Sequence, residues 1–370
     1  TNITTGSLDG GRSNLAAAQS TDGAISFTNT TINTNNGNLT TSSNTTGVST
    51  TALNFAGTNN FTIGTGNATL NAVSGLTSTG VLIGENLSAN VASGSNFNIT
   101  QSETVLGNGS VYGVNLNGSI NLSGGGAMTI NGTTNVNSTY AINVANLAAN
   151  VSAGNMTITS MMANPNSGAI LSASNITAAV AVGSNLNITG CVTSAIAAFK
   201  LSNIINLSGG GNLNFQGRSV GSVGLYLNTS TINVQAGTLS FDGTSNTSQI
   251  YTNGIEFTGI INATVATGAN FNITGHNLQS NAGNGIFFWA PGGINLLAGG
   301  GGNVNVVAIT ECATGILFAN GNSVNLSVLS GNMTLSGTTT NTSATISSRG
   351  IDLVAGTSVN INVVSGSYLN

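Results

Sequence analysis

The amino-acid sequence predicts an all-β fold, a right-handed parallel β-helix: a triangular β-solenoid of about a dozen turns with three short strands in each. Three observations point there. Apolar-polar-apolar triplets recur along the whole chain, a glycine precedes every third triplet, and charge is almost missing.

The triplets carry the strongest signal. Ile255-Glu256-Phe257, Ile261-Asn262 and Phe271-Asn272-Ile273 form one unit, and Ile286-Phe287-Phe288, Ile294-Asn295-Leu296 and Val304-Asn305-Val306 form the next. Ile316-Leu317-Phe318, Val324-Asn325-Leu326 and Met333-Thr334-Leu335 follow. Earlier units open near Ala24, Ala52, Val81, Val114, Ala141, Ala169, Phe199 and Leu225, and a last incomplete one opens at Ile351. Alternation at period two is the signature of a strand with one buried face. Spacings of roughly 26 to 35 residues fall in the range of solenoid repeats. Coiling lets each strand pair with its equivalent one turn later, and strands ~4.8 Å apart would give a rod of about 55 to 60 Å. Residues 1–370 then form a single β-solenoid domain.

Glycine marks the corners, where positive φ or close backbone approach is required. Gly37, Gly66, Gly94, Gly126, Gly154, Gly183, Gly211, Gly237, Gly268, Gly302, Gly331 and Gly366 each sit just before a third strand.

Only 3% of the 370 residues are charged, where about 25% is usual. Polar chains rich in Gly, Ser, Thr and Asn are often disordered, but a coil has no reason to keep its Ile, Leu, Val and Phe in register. A stacked architecture explains the missing charge, because like charges on neighbouring strands repel. Asparagine is suited to the same place. Asn33, Asn121, Asn206, Asn233, Asn262, Asn295, Asn325 and Asn360 all lie between apolar neighbours in the second strand. They are expected to face outward and hydrogen-bond along the stack, as in cross-β ladders.

Several function classes are disfavoured. The basic residues Arg12, Lys200, Arg218 and Arg349 are scattered, so no patch is formed to neutralise a phosphate backbone. No apolar run approaches the ~18 residues of a membrane span, and no charged-then-apolar leader opens the sequence. Glycosidase chemistry needs two carboxylates about 5 to 10 Å apart. Glu256 and Asp352 fall three turns apart in one column, and Asp242 with Glu256 is the only pair in adjacent turns. Solvated carboxylates are the simpler reading. His276, placed in a turn after the third strand, is the only histidine, so no metal cluster is expected. Cys191 and Cys312 lie about four turns apart, too far for a disulfide, and are expected to be small buried apolar residues. The run Gly299 to Gly302 is followed by Asn303 and lacks the Asp of calcium-binding β-rolls. No cofactor is expected.

Two surface features remain. Asn-x-Ser/Thr recurs throughout, including Asn98, Asn187 and Asn272 in Asn-Ile-Thr on third strands, which makes these three candidate N-glycosylation sites; a chain so rich in Asn, Ser and Thr also generates such triplets by chance. In the first strand the outward residue is usually polar, as at Ser26, Asn54, Asn115, Asn143 and Asp352, but Tyr226, Glu256, Phe287 and Leu317 break that rule. With Trp289, the outward Tyr226, Phe287 and Leu317 form a candidate contact surface for a sugar ring or another protein.

The Gly-Asn-apolar-Asn/Thr-Ile and Ile-Asn-Leu units resemble those of filamentous haemagglutinin-like, high-molecular-weight adhesins exported by two-partner secretion in bacteria. The resemblance spans essentially the whole chain and rests on repeat style. It implies a fibrous, extracellular or cell-surface protein whose partner is a receptor or glycan on a host or bacterial surface. The family's secretion domain carries an Asn-Pro-Asn-Gly motif; the nearest string here, Asn164-Pro165-Asn166-Ser167-Gly168, reads as an ordinary turn. Both ends fall inside a repeat, which is expected of an excerpt from a longer fibre or of subunits that self-associate end to end into a filament. A polysaccharide-degrading enzyme is the competing class and lacks its carboxylate cluster. Ice binding is disfavoured because the columns mix Asn, Thr and Ser.

Overall fold

The computed structural model describes residues 2–3, 7–9, 13–16, 25–34, 37–45, 51–74, 79–103, 112–134, 140–162, 171–193, 197–246, 252–258, 261–278, 283–289, 294–298, 301–311, 313–319, 323–340, 349–354, 358–364 and 367–370. Among these every regular element is a β-strand, and the pairings are parallel between strands of successive turns. The fold is a β-solenoid. It divides into two compact units, Thr1–Thr189 and Gly190–Asn370.

In the first unit the third edge of the triangle is a ladder of Ser13–Ala16, Leu39–Thr45, Asn67–Ser74, Asn96–Glu103, Ala127–Thr134 and Asn155–Met162. In the second it runs through Asn212–Ser219, Thr238–Ser245, Asn270–Asn277, Asn303–Thr310, Asn332–Thr339 and Tyr368–Leu369. Strict alternation explains why these segments are strands: Thr238–Ser245 buries every second residue. In-register pairing then places like on like. Leu39, Ala68, Phe97, Met128 and Met156 form one continuous buried column.

The expectation of three short strands in each turn holds for only part of the chain. Among the described residues many turns have three separate strands, while in others the first two edges fuse into one strand of ten or twelve residues, as in Tyr112–Ser123 and Leu225–Val234. In two of these fused strands the corner is a bulge: Tyr140–Val151 has the extra residue Ala145 opposite Leu116 and Asn117, and Leu225–Val234 has the extra residue Thr229 opposite Ser202 and Asn203. One extra residue bends a strand without ending it. Asn203, on the strand facing the second bulge, adopts φ 75°, a left-handed conformation that Asn tolerates better than most residues.

Phenylalanines fill the interior. Phe257, Phe288 and Phe318 stack with ring centroids 4.7 and 4.9 Å apart. Phe215, Phe241 and Phe271 form a second series at 5.3 and 5.4 Å. Each such aromatic contact adds about 0.5 to 1.5 kcal/mol beyond the area it buries.

Among the described residues several buried polar groups lie at strand ends, where they tie down the returning chain, while Thr41 and Ser43 are buried inside Leu39–Thr45. Ser245 Oγ donates to the Ser222 carbonyl at 2.8 Å and Thr310 Oγ1 to that of Gly283 at 2.9 Å. In the first unit, Gln101 is fully buried. Its amide donates to Ser74 Oγ at 3.1 Å and its carbonyl accepts from the Thr133 N–H at 3.1 Å.

The corner glycines behave largely as expected. Gly154 has φ 89°, and a Cβ there would stand 2.0 Å from the Gly126 carbonyl oxygen. At three turns the positive φ falls earlier than expected, on Gly124 and Gly125, on Gly209 and Gly210, and on Gly301, in place of Gly126, Gly211 and Gly302. A second set of glycines lies where the third edge meets the next turn. A Cβ on Gly275 would be 2.3 Å from the carbonyl oxygen of Gly285. Gly366 lies outside the described residues.

Phe241→Ala should cost about 3 to 5 kcal/mol, read as a lowered midpoint in chemical denaturation; an unchanged midpoint would contradict the stacked interior. Gly154→Ala should lose at least about 1 to 2 kcal/mol from the left-handed backbone alone, before the clash with Gly126 is added.

Candidate functional site

The first edge of the second unit carries the aromatic surface. Lys200, Tyr226, Glu256, Phe287, Leu317 and Asp352 are successive partners in register, one per turn. Each is half-buried, and the residues beside it are core: Ile255 and Phe257, Ile286 and Phe288, Ile316 and Phe318. Alternation therefore turns this column outward, and the buried Phe257, Phe288 and Phe318 stack directly beneath it. The platform is rigid because its backing is packed ring on ring.

Trp289 follows Phe288 at the corner. Its backbone N–H donates to the Phe257 carbonyl at 2.6 Å, while the residue as a whole is 56% exposed. The indole lies 6.1 Å from the Phe287 ring at an interplanar angle of 60°. Two inclined rings with a flanking Leu317 present an apolar corner to solvent. Rings placed this way can stack against the apolar face of a sugar or an aliphatic side chain. Below them, the Lys200 ammonium sits over the Tyr226 ring at 5.8 Å from its centroid, a cation–π contact.

Glu256 lies between Tyr226 and Phe287. Burial by these neighbours raises its pKa above the usual 4.5, and a hydrogen bond donated by Asn253 Nδ2 at 3.1 Å opposes the rise. Glu103, in the first unit, is raised for the same reason against a hydrogen bond from the Thr134 hydroxyl. Asp352 pairs with Arg349. Two residues, Phe287 and Leu317, separate Glu256 from Asp352 in the column, so three strand spacings of ~4.8 Å hold the carboxylates about 14 Å apart. That is beyond either glycosidase geometry. Asp242 belongs to the third edge and accepts from Gln216 at 3.4 Å, whereas Glu256 belongs to the first. No cluster of three or more His, Cys, Asp or Glu side chains exists among the described residues.

Three placements differ from the sequence reading. His276 is inside the strand Asn270–Asn277, on its outer face, and not in a turn. Cys191 alternates outward and is half-buried, so it is not a core residue; Cys312 lies outside the described residues, as do Asn164 to Gly168. The asparagine column also divides. Asn233 stacks on Asn206 at 2.8 Å, but it pairs onward with Thr264, while Asn262 pairs with Thr231. Asn262, Asn295, Asn325 and Asn360 form a separate ladder, two residues over, with amide contacts of 2.8, 2.7 and 2.9 Å. The register is set by the last buried residue before the corner, Val234 against Val265, and not by the asparagine.

Other ladders went unread in the sequence. Asn270, Asn303 and Asn332 stack at 2.9 and 3.1 Å, and Asn143 stacks on Asn115 at 3.1 Å. Of the three sequon asparagines, all are half-buried at mid-strand. The Asn272 side-chain carbonyl accepts from Asn305 Nδ2 at 2.9 Å.

Comparison with protein-family models, curated proteins and solved structures finds no match to this chain. No helix among the described residues is long and apolar enough to cross a membrane.

Replacing Glu256 by Gln should change the pH dependence of stability. The folded-state pKa lies above the unfolded 4.5, so the folded state binds more protons between the two values and stability falls as pH rises through that window. The variant should gain stability over the parent at neutral pH, and the gain should vanish below pH 4.5. Equal pH profiles for the two proteins would show that burial does not perturb this carboxyl.

Proposed function

We propose that this chain is a non-catalytic, adhesive segment of an exported bacterial surface fibre, of the filamentous haemagglutinin-like kind its repeat units resemble. The observation that carries the reading is the outward Phe287 and Leu317 with the exposed Trp289 at the adjoining corner, an apolar platform on a solenoid whose outer columns are rich in Asn, Ser and Thr. A rigid stack of parallel strands supplies length without motion, and asparagine ladders keep the surface hydrated at almost no net charge. Attachment through such a face relies on repeated weak contacts along the fibre. The exposed rings add one site where a partner can bury apolar area.

Beads coated with the purified chain should bind bacterial or host cells, and Phe287→Ser combined with Trp289→Ser should reduce that binding severalfold while the circular dichroism stays that of the parent. Undiminished binding by the double variant would remove the aromatic platform from the reading. Failure of the parent to bind any cell or surface would remove adhesion itself.

A further inference from the structure

A groove of about 320 Å³ runs across four turns of the second edge in the Thr1–Thr189 unit. One outward column along it reads Asn60, Ser88, Asn121, Asn150, partner to partner in register. Beside it stands Asn90, two residues from Ser88 on the same face. No charged residue lines the groove, and its size falls in the range of ligand sites, roughly 300 to 1,000 Å³.

The amides here are not engaged as they are elsewhere. Asparagines in the ladders of the second unit stack on one another at 2.7 to 2.9 Å. In the groove, Asn121 Nδ2 turns to Ser88 Oγ at 3.2 Å. Asn60, Asn90 and Asn150 are exposed, and their side-chain amides have no hydrogen-bond partner among the described residues. The reason is in the neighbours. Asn90 stands between Thr62 and Ser123, and Asn60 meets Ser88, whose hydroxyl is taken by Asn121. At Asn60 and Asn90 short hydroxyl side chains interrupt the amide-to-amide zipper; Asn150 stands between Ala179 and Asn121, whose amide is turned to Ser88.

We propose that this groove binds a neutral, unbranched polysaccharide lying along the stacking direction. A carboxamide offers one acceptor and two donors, which suits a pair of adjacent hydroxyls: one donates to the oxygen and the other accepts from the nitrogen. The strand spacing of ~4.8 Å is about the length of one sugar residue in an extended chain, so successive sugars meet successive turns, and three of the four turns carry an open amide, Asn60, Asn90 and Asn150. The absence of lining cations disfavours acidic glycans. All strands flooring the groove are paired on both sides, so an extended peptide finds no backbone edge to join. The groove and the aromatic platform lie in different units, and this inference rests on the adhesive reading only for its biological use.

The test is calorimetric titration of the full chain with neutral cello-, malto- and manno-oligosaccharides of increasing length, with oligogalacturonate as the charged control. At least one neutral series should bind, with affinity rising about tenfold between the dimer and the tetramer, and oligogalacturonate should bind more weakly. Asn60→Ala, Asn90→Ala and Asn150→Ala together should weaken binding about tenfold or more with unchanged circular dichroism. Should that triple variant lose its fold, Asn150→Ala alone must still weaken binding. Asn295→Ala, in a zipped ladder, and the Phe287→Ser/Trp289→Ser double variant should bind as the parent does. The inference is overturned if no neutral series binds, if oligogalacturonate binds more tightly, or if the groove variants bind like the parent. Because the double variant separates cell attachment from oligosaccharide binding, failure of one reading is distinguishable from failure of the other.

Discussion

Parallel stacking in register obliges every side chain to face its own counterpart ~4.8 Å away on both sides. Most of what distinguishes this molecule follows from that obligation. Apolar columns are favoured because like packs on like, and phenylalanine series such as Phe257, Phe288 and Phe318 extend the principle to stacked rings. Asparagine is favoured outside because its amide both donates and accepts, so one residue type can bond to copies of itself without end. Charge is penalised because it meets itself. In the first-edge column of the second unit the charges are kept apart: Lys200 and Glu256 flank Tyr226, and Phe287 with Leu317 stands between Glu256 and Asp352.

Much of the architecture is written in the triplets. Strand identity, inward and outward faces, and the glycine corner before the third strand can all be read from alternation and spacing, because each depends on a few neighbouring residues. Register cannot be read so directly. The triplets Ile232-Asn233-Val234 and Ile261-Asn262-Ala263 look equivalent, yet Val234 aligns with Val265 and the asparagines part company. The core, closing behind the corner, decides the alignment, and an outward asparagine carries too little energy to overrule it. The bulged corners were hidden for a related reason. Whether a bend ends a strand or merely deflects it turns on a single extra residue, as at Ala145 and Thr229, and not on hydrophobic pattern.

The aromatic column was legible because it breaks a local rule, and alternation was enough to turn it outward. The groove was not legible. Its composition is the same Asn, Ser and Thr found all over the surface, and only the pairing shows that Asn60 and Asn90 sit beside short hydroxyl residues and Asn150 beside Ala179 and an Asn121 turned to Ser88. Two faces with one composition therefore differ in chemistry: in one the amides are spent on each other, and in the other they are open to a ligand.

The two-residue offset between Asn233 and Asn262 also defines which changes of length the chain can absorb. A displacement of two returns every side chain to the face it left, whereas a displacement of one would turn the core outward along the whole strand. Within an edge, residues can thus be gained or lost only in pairs, while a corner accepts any number. Repeats of unequal length are then a permitted variety and not a decay of the pattern, and corners are where new surface can be added without disturbing the stack.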